Sequence, residues 1–155
     1  SIIGGYTDDE SSGGVTVATF SWILLTLIGG YIAMLGVYGY VQPHVYGDIL
    51  TKATLRRDWQ DVATHDPALA ELLIIVIKGM EIALTCTGVL AACVAATAFR
   101  AGASWAWAAL AFTHTFCWVG DALLERQLGE RAFVLHDLVL LALSWLGLGL
   151  GVIAL

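Results

Sequence analysis

At 155 residues the chain has the length of a single compact domain. Hydrophobic residues make up 59% of it and charged residues only 13%, against roughly a quarter charged in a soluble domain whose surface must be wetted, so most of its outer surface is expected to face lipid. The net charge of −6, with seven Lys and Arg spread thinly, leaves no basic stripe and excludes nucleic acid as a partner.

The first 14 residues are acidic and rich in Gly and Ser, around Asp8-Asp9-Glu10. They lack the basic-then-apolar order of a signal peptide, and the absence of a leading Met predicts removal of an initiator Met or of a longer targeting segment. A span needs about 20 mostly apolar residues, and the first runs over residues 15–41, ending at Gln42-Pro43. Residues 42–67 form a loop in which Ile49, Leu50, Ala53, Trp59 and Val62 alternate with Lys52, Arg56, Arg57, Asp58 and Asp61. That spacing predicts an amphipathic interfacial helix lying on the headgroups, or alternatively a docking surface for a partner or lipid.

The remaining spans are expected over residues 69–99, 103–124 and 132–155. The second is long enough to tilt or to project beyond the bilayer. Each must be helical, because an open strand leaves backbone groups unpaired in lipid. The predicted fold is therefore an all-α integral membrane bundle of four transmembrane helices, one domain over residues 1–155, with an interfacial segment between the first two.

Lys52, Arg56 and Arg57 lie in the loop after the first span and Arg126 and Arg131 in the loop after the third, whereas the opposite side offers only Arg100. The positive-inside rule then places both loops in the cytoplasm and both termini outside, in a bacterial inner membrane or an organelle membrane. Small-residue stripes mark close helix packing: Gly29, Gly30, Ala33 and Gly36; Ala83, Thr87, Ala91 and Ala95; Ser144, Gly147 and Gly151. Cys86, Cys93 and Cys117 fall in apolar stretches without a C-x-x-C pair and read as small core residues, with chemistry at Cys117 the minor alternative.

The candidate functional residues are the ionisable groups inside the spans. Lys78 and Glu81 are on the second span, His114 and Asp121 on the third, and Glu125, His136 and Asp137 at the cytoplasmic ends of the third and fourth. Charges there are costly, and such groups face a bundle interior and pair with one another. At about 1.5 Å per residue, Glu81 and Asp121 lie about 27 Å from the far membrane face, His136 about 25 Å and His114 about 17 Å. Glu81, Asp121 and His136 are expected to converge from three helices, with Lys78 and Glu125 above them and His114 below.

Several kinds of chemistry fit that cluster. A structural reading pairs Lys78 with Glu81 or Asp121 and fixes helix register. A metal reading uses Glu81, Asp121 and His136 as ligands, although the Glu-x-x-His pairs of di-iron bundles are missing and Lys78 would repel a cation. A haem between His114 and His136 is disfavoured by their depths, which differ by about 8 Å. Proton handling, or acid–base work on a lipophilic substrate, uses the same carboxyls and imidazoles. The polar groups counted in the outer halves of the spans are Thr87, Thr97, Ser144 and Trp145, which is too few for one bundle to make a complete channel.

The reading that fits most of these features is an accessory integral-membrane subunit of a larger complex, in contact with other membrane subunits or with copies of itself. The alternatives are a small membrane enzyme working through Glu81, Asp121, His136, Lys78, His114 or Glu125, and a proton or ion pathway completed by partners. No residue pattern names a cofactor.

Overall fold

The computed structural model describes residues 8–129 and 131–153, and among these every regular element is helical. Helix α1 spans Asp8–Val41, α2 Pro43–Leu55, α3 Trp59–His65, α4 Pro67–Val94, α5 Ser104–Leu128 and α6 Arg131–Ile153. The expected tail is only partly outside α1, which begins within the acidic run, where negative charge favours a helix N-terminus; residues 1–7, and the end of the last span at residues 154–155, lie outside the described residues.

The boundaries follow local chemistry. Pro43 and Pro67 open α2 and α4 at positions where a missing N–H costs nothing, and the Asp66 carboxylate caps α4 by accepting from the Leu69 N–H at 3.1 Å. Helix α4 runs on into a wider π-type turn over Ala95–Phe99, closed by Arg100 N–H to the Ala95 carbonyl at 3.2 Å. Gly129, with φ 83°, ends α5 in the left-handed region that glycine adopts without strain.

Three helices are long and apolar enough to cross a membrane: Val17–Val41, Pro67–Phe99 and Arg131–Val152. Helix α5 has 25 residues but is not one of the three, because His114, Asp121 and its Ser and Thr residues lower its mean hydropathy. Its outward face is nevertheless apolar, with Phe112 and Phe116 each 71% exposed and stacked on one another.

Helix α1 is the centre of the bundle, packed against α4 on one flank and α6 on the other, while α5 packs along α6. Helices α4 and α5 splay apart around a groove of about 220 Å³ lined by Thr87, Leu90, Val94, Ala109, Leu110 and Thr113. The α1–α4 seam is built from Gly29, Ala33 and Gly36 on one side and Thr85, Gly88 and Ala92 on the other. The α4 stripe expected from sequence is thus rotated: Ala83 is exposed and Thr87 lines the groove, while Ala91 and Ala95 belong to the apolar core with Leu25, Phe99, Leu110 and Leu148. On α6 the expected stripe is the one in use, since Gly147 and Gly151 meet Leu25, Phe99 and Ser21, and the Ser21 hydroxyl donates to the Gly147 carbonyl at 2.6 Å. The cysteines are not core residues: Cys86 and Cys93 are exposed and Cys117 is half-buried.

The segment over residues 42–67 is two helices rather than one, because Arg56 takes a left-handed φ of 54° and Asp58 an extended backbone. The resulting elbow folds back on itself and packs against the bundle, α2 touching α4 and α5, and α3 touching α4. The Trp59 ring lies over Gly47, leaving no room for a larger residue there. Asp48 latches the elbow by accepting from the Trp59 N–H at 3.2 Å and from Lys52 at 2.6 Å, and Arg57 donates to Asp61 at 2.5 Å. The Lys52 hydrogen bond, with that from Trp59, holds the Asp48 carboxyl below its ordinary value of 3.8, and the Arg57 hydrogen bond does the same for Asp61. A carboxyl depressed in the folded state contributes stability above its unfolded value and loses it as pH falls through the folded one. The protection of the α3 amides, taken relative to their intrinsic exchange rates at each pH, is therefore expected to hold from neutral pH down to about 4 and to fall below that; protection unaffected by acid would show that the latch does not hold the elbow.

Candidate functional site

On α5 a helical period of 3.6 residues places His114, Trp118, Asp121 and Glu125 within about 60° of one another, and that face points into the bundle. His114 is fully buried and Trp118 nearly so. Along the helix axis the stripe is about 16 Å long at about 1.5 Å per residue. It begins near the elbow, where Tyr46 of α2 lies within electrostatic reach of Glu81, Tyr38, Tyr31 and Glu125. Burial, reinforced by those neighbours and by Glu81 most of all, pushes the Tyr46 hydroxyl up to about 12.

Beside this stripe runs a hydrogen-bonded relay. The Tyr31 hydroxyl on α1 lies 2.9 Å from Nε2 of His136, and Nδ1 of His136 lies 3.0 Å from Oδ1 of Asp137. The roles follow the tautomer of the ring: with Nδ1–H donating to Asp137, Nε2 accepts from the Tyr31 hydroxyl. The edge of Trp118 packs against the His136 ring, with centroids 6.3 Å apart. The His136 side chain is 39% exposed and that of Asp137 4%, so the relay leads from a partly open histidine to a buried carboxyl.

Glu81 is buried on α4 with its carboxyl against Gly39 of α1, where any added side chain would collide with it. Glu81 and Asp121 are electrostatic neighbours, and so are Asp121 and Asp137. Lys78 is the residue placed differently. Its Nζ sits 5.3 Å from the centre of the Tyr40 ring, a cation–π distance, and it makes no ion pair with Glu81 or Asp121. Lys78 and Glu81 are neighbours on α4, but Glu81 enters the narrow seam that Gly39 opens, while the longer lysine stem carries its charge to the rim. Among the described residues no Lys or Arg forms an ion pair with Glu81, Asp121 or Asp137.

Asp137 stands between His136, which it hydrogen-bonds, and Asp121, and among the described residues no three His, Cys, Asp or Glu side chains are grouped so as to hold a metal ion. His136 has both ring nitrogens in hydrogen bonds, which leaves neither for an axial haem bond. Tyr31, Trp118 and Tyr46 are the members that sequence reasoning missed. Nothing in the local pattern singled out Tyr31, whose span also carries Tyr38 and Tyr40, or Tyr46, which reaches the cluster only because α2 folds back. Comparison with family models, curated proteins and solved structures finds no match.

Proposed function

We propose that the chain is a four-span membrane protein and a proton-handling accessory subunit of a larger membrane assembly. Helix α5 is its third crossing. It stays with α6 from end to end, through Trp118 against His136 at one end and the Trp107 Nε1–H donating to the Leu148 carbonyl at 3.1 Å at the other, so a bilayer that α6 crosses must also contain α5. The polar face of α5 is turned inward and Phe112 and Phe116 outward, the reverse of a soluble helix. Lys52, Arg56, Arg57, Arg126 and Arg131 gather at the elbow end, which is therefore cytoplasmic, with the elbow at the interface.

The observation that carries the proton reading is the Tyr31–His136–Asp137 relay running into Asp121 and Glu81 without a cationic partner. Repulsion between neighbouring carboxylates is strong where water is scarce, so the ionisation of each depends on that of the others and the cluster passes protons rather than fixing charge pairs. The accessory role is supported by where the polar groups stop. Beyond His114 the bundle is closed by Leu25, Ala91, Ala95, Phe99, Leu110 and Leu148, and Ser21, Ser144, Thr97 and Trp107 donate to backbone carbonyls. A proton taken up at the elbow end finds no exit through this bundle and serves a neighbouring chain. The groove beside Thr87 and Thr113 does not include Glu81, Asp121 or His136.

Infrared difference spectra across a pH step, on protein reconstituted in lipid, test the cluster. A carboxyl band that titrates and is lost in Glu81→Gln is expected; carboxyl bands indifferent to both pH and substitution would overturn the proton reading. Native mass spectrometry from the source membrane tests the assembly, and a chain that leaves the membrane alone would overturn the subunit reading.

A further inference from the structure

The side-chain atoms that are buried without a hydrogen-bond partner gather on one part of the molecule. They include both ring nitrogens of His114, the Thr115 hydroxyl, Nε1 of Trp118, Oδ2 of Asp137 and Oε2 of Glu81. Buried polar groups in folded proteins are paired almost without exception, and ordered water is the partner where protein is not. Toward the other end of the bundle Ser21, Ser144 and Trp107 all find backbone carbonyls. On α5 the unpaired atoms stop at His114, one turn before the buried pair Leu110 and Ala111.

We propose that a chain of bound water molecules lies along the inner face of α5, held by Asp137, Trp118, Thr115 and His114, and ends at His114 against the apolar plug. Spacing favours it. His114 and Trp118 are one turn apart, about 6 Å along the axis, and one water with two hydrogen bonds of about 2.8 Å spans such a step. The chemistry of the ends also matches: the Trp118 indole can only donate, Asp137 Oδ2 can accept, and a neutral imidazole at His114 does one of each from opposite sides of its ring, so a chain of waters along this face meets both donors and acceptors. The functional purpose of the chain rests on the proton-handling reading above, whereas its existence rests on the unpaired atoms.

The test is infrared spectroscopy of the full chain in lipid, comparing water O–H stretching bands in ordinary and ¹⁸O-labelled water. Wild-type protein is expected to show isotope-sensitive bands of bound water, reduced in Trp118→Phe, which keeps the ring shape and removes the donor, and reduced further in His114→Leu. The Glu81 carboxyl band is expected to persist in both variants. Bands that are absent from wild type, or equal in all three proteins, would overturn the proposal. So would a rise in the thermal midpoint of His114→Leu, because a dry, unpaired histidine is improved by an apolar replacement. Isotope-sensitive bands in a protein whose carboxyls ignore pH would support the water chain while removing its proton-handling purpose.

Discussion

Gly88→Leu is expected to force α1 and α4 apart and to lower the thermal midpoint by on the order of 10 °C, corresponding to about 3 kcal/mol of overpacking. A Cβ on Gly88 would overlap the Ala33 amide nitrogen and approach the Gly29 carbonyl oxygen at 2.7 Å, and one on Gly29 would approach the Ala92 nitrogen at 2.6 Å. These are backbone atoms on both sides, so no rotamer change relieves the clash and a helix must move. The same seam holds Gly39 against the Glu81 carboxyl, so separating the helices also releases that carboxyl from the interior. Gly30 is the matched control: it is one residue from Gly29, yet a Cβ there meets nothing within 4 Å, and Gly30→Leu is expected to melt like wild type. Circular dichroism melts in one detergent decide the matter; equal midpoints for Gly88→Leu and Gly30→Leu would show that the seam is not tight.

The contrast between these glycines marks the limit of what the sequence discloses about packing. Gly29, Gly30, Ala33 and Gly36 form one small-residue stripe by spacing, but only the helix rotation decides that Gly29 meets α4 while Gly30 meets nothing. On α4 the choice went the other way. Ala83 and Thr87 are as small as the residues of the true seam, but the seam runs through Glu81, Thr85, Gly88 and Ala92, with the Glu81 carbonyl accepting from the Thr85 hydroxyl at 2.8 Å. In a span that is apolar all round, periodicity carries little information about which face is inside, whereas on α5 the polar residues are few and their common face is legible. That is why the stripe from His114 to Glu125 is readable in advance, and the α1–α4 contact is not.

The site shows the same division. Counting residues along a helix gives an expected level for Glu81, Asp121 and His136 but not their partners. Partner choice within that level depends on which direction each side chain takes, and Lys78 illustrates it by reaching Tyr40 rather than a carboxyl only three residues away. Long-range pairs such as Tyr31 with His136 are fixed by how α1 sits between α4 and α6, which no local pattern encodes.

Asp137→Asn is expected to slow proton exchange at the cluster tenfold or more, equivalent to about 1.4 kcal/mol or above in barrier. Asp137 links the His136 ring to the buried carboxyls through a 3.0 Å hydrogen bond to Nδ1. Asparagine matches its size and can still accept from Nδ1, but a hydrogen bond to a neutral acceptor is roughly half as strong as one to a carboxylate, and an amide takes no proton at physiological pH. The relay then ends at His136. Tyr31→Phe removes the other end and leaves the His136–Asp137 pair in place, so a smaller loss, about threefold or roughly 0.7 kcal/mol, is expected there. Lys78→Gln is the control outside the relay, since its charge rests on the Tyr40 ring, and its rate is expected to stay within about twofold of wild type. Stopped-flow pH jumps on reconstituted protein, followed through the carboxyl infrared bands, order the three variants. An Asp137→Asn protein that exchanges as fast as Lys78→Gln would mean that protons reach Asp121 and Glu81 from the elbow past Tyr46, and that the Tyr31–His136–Asp137 bonds only fix the helices in register.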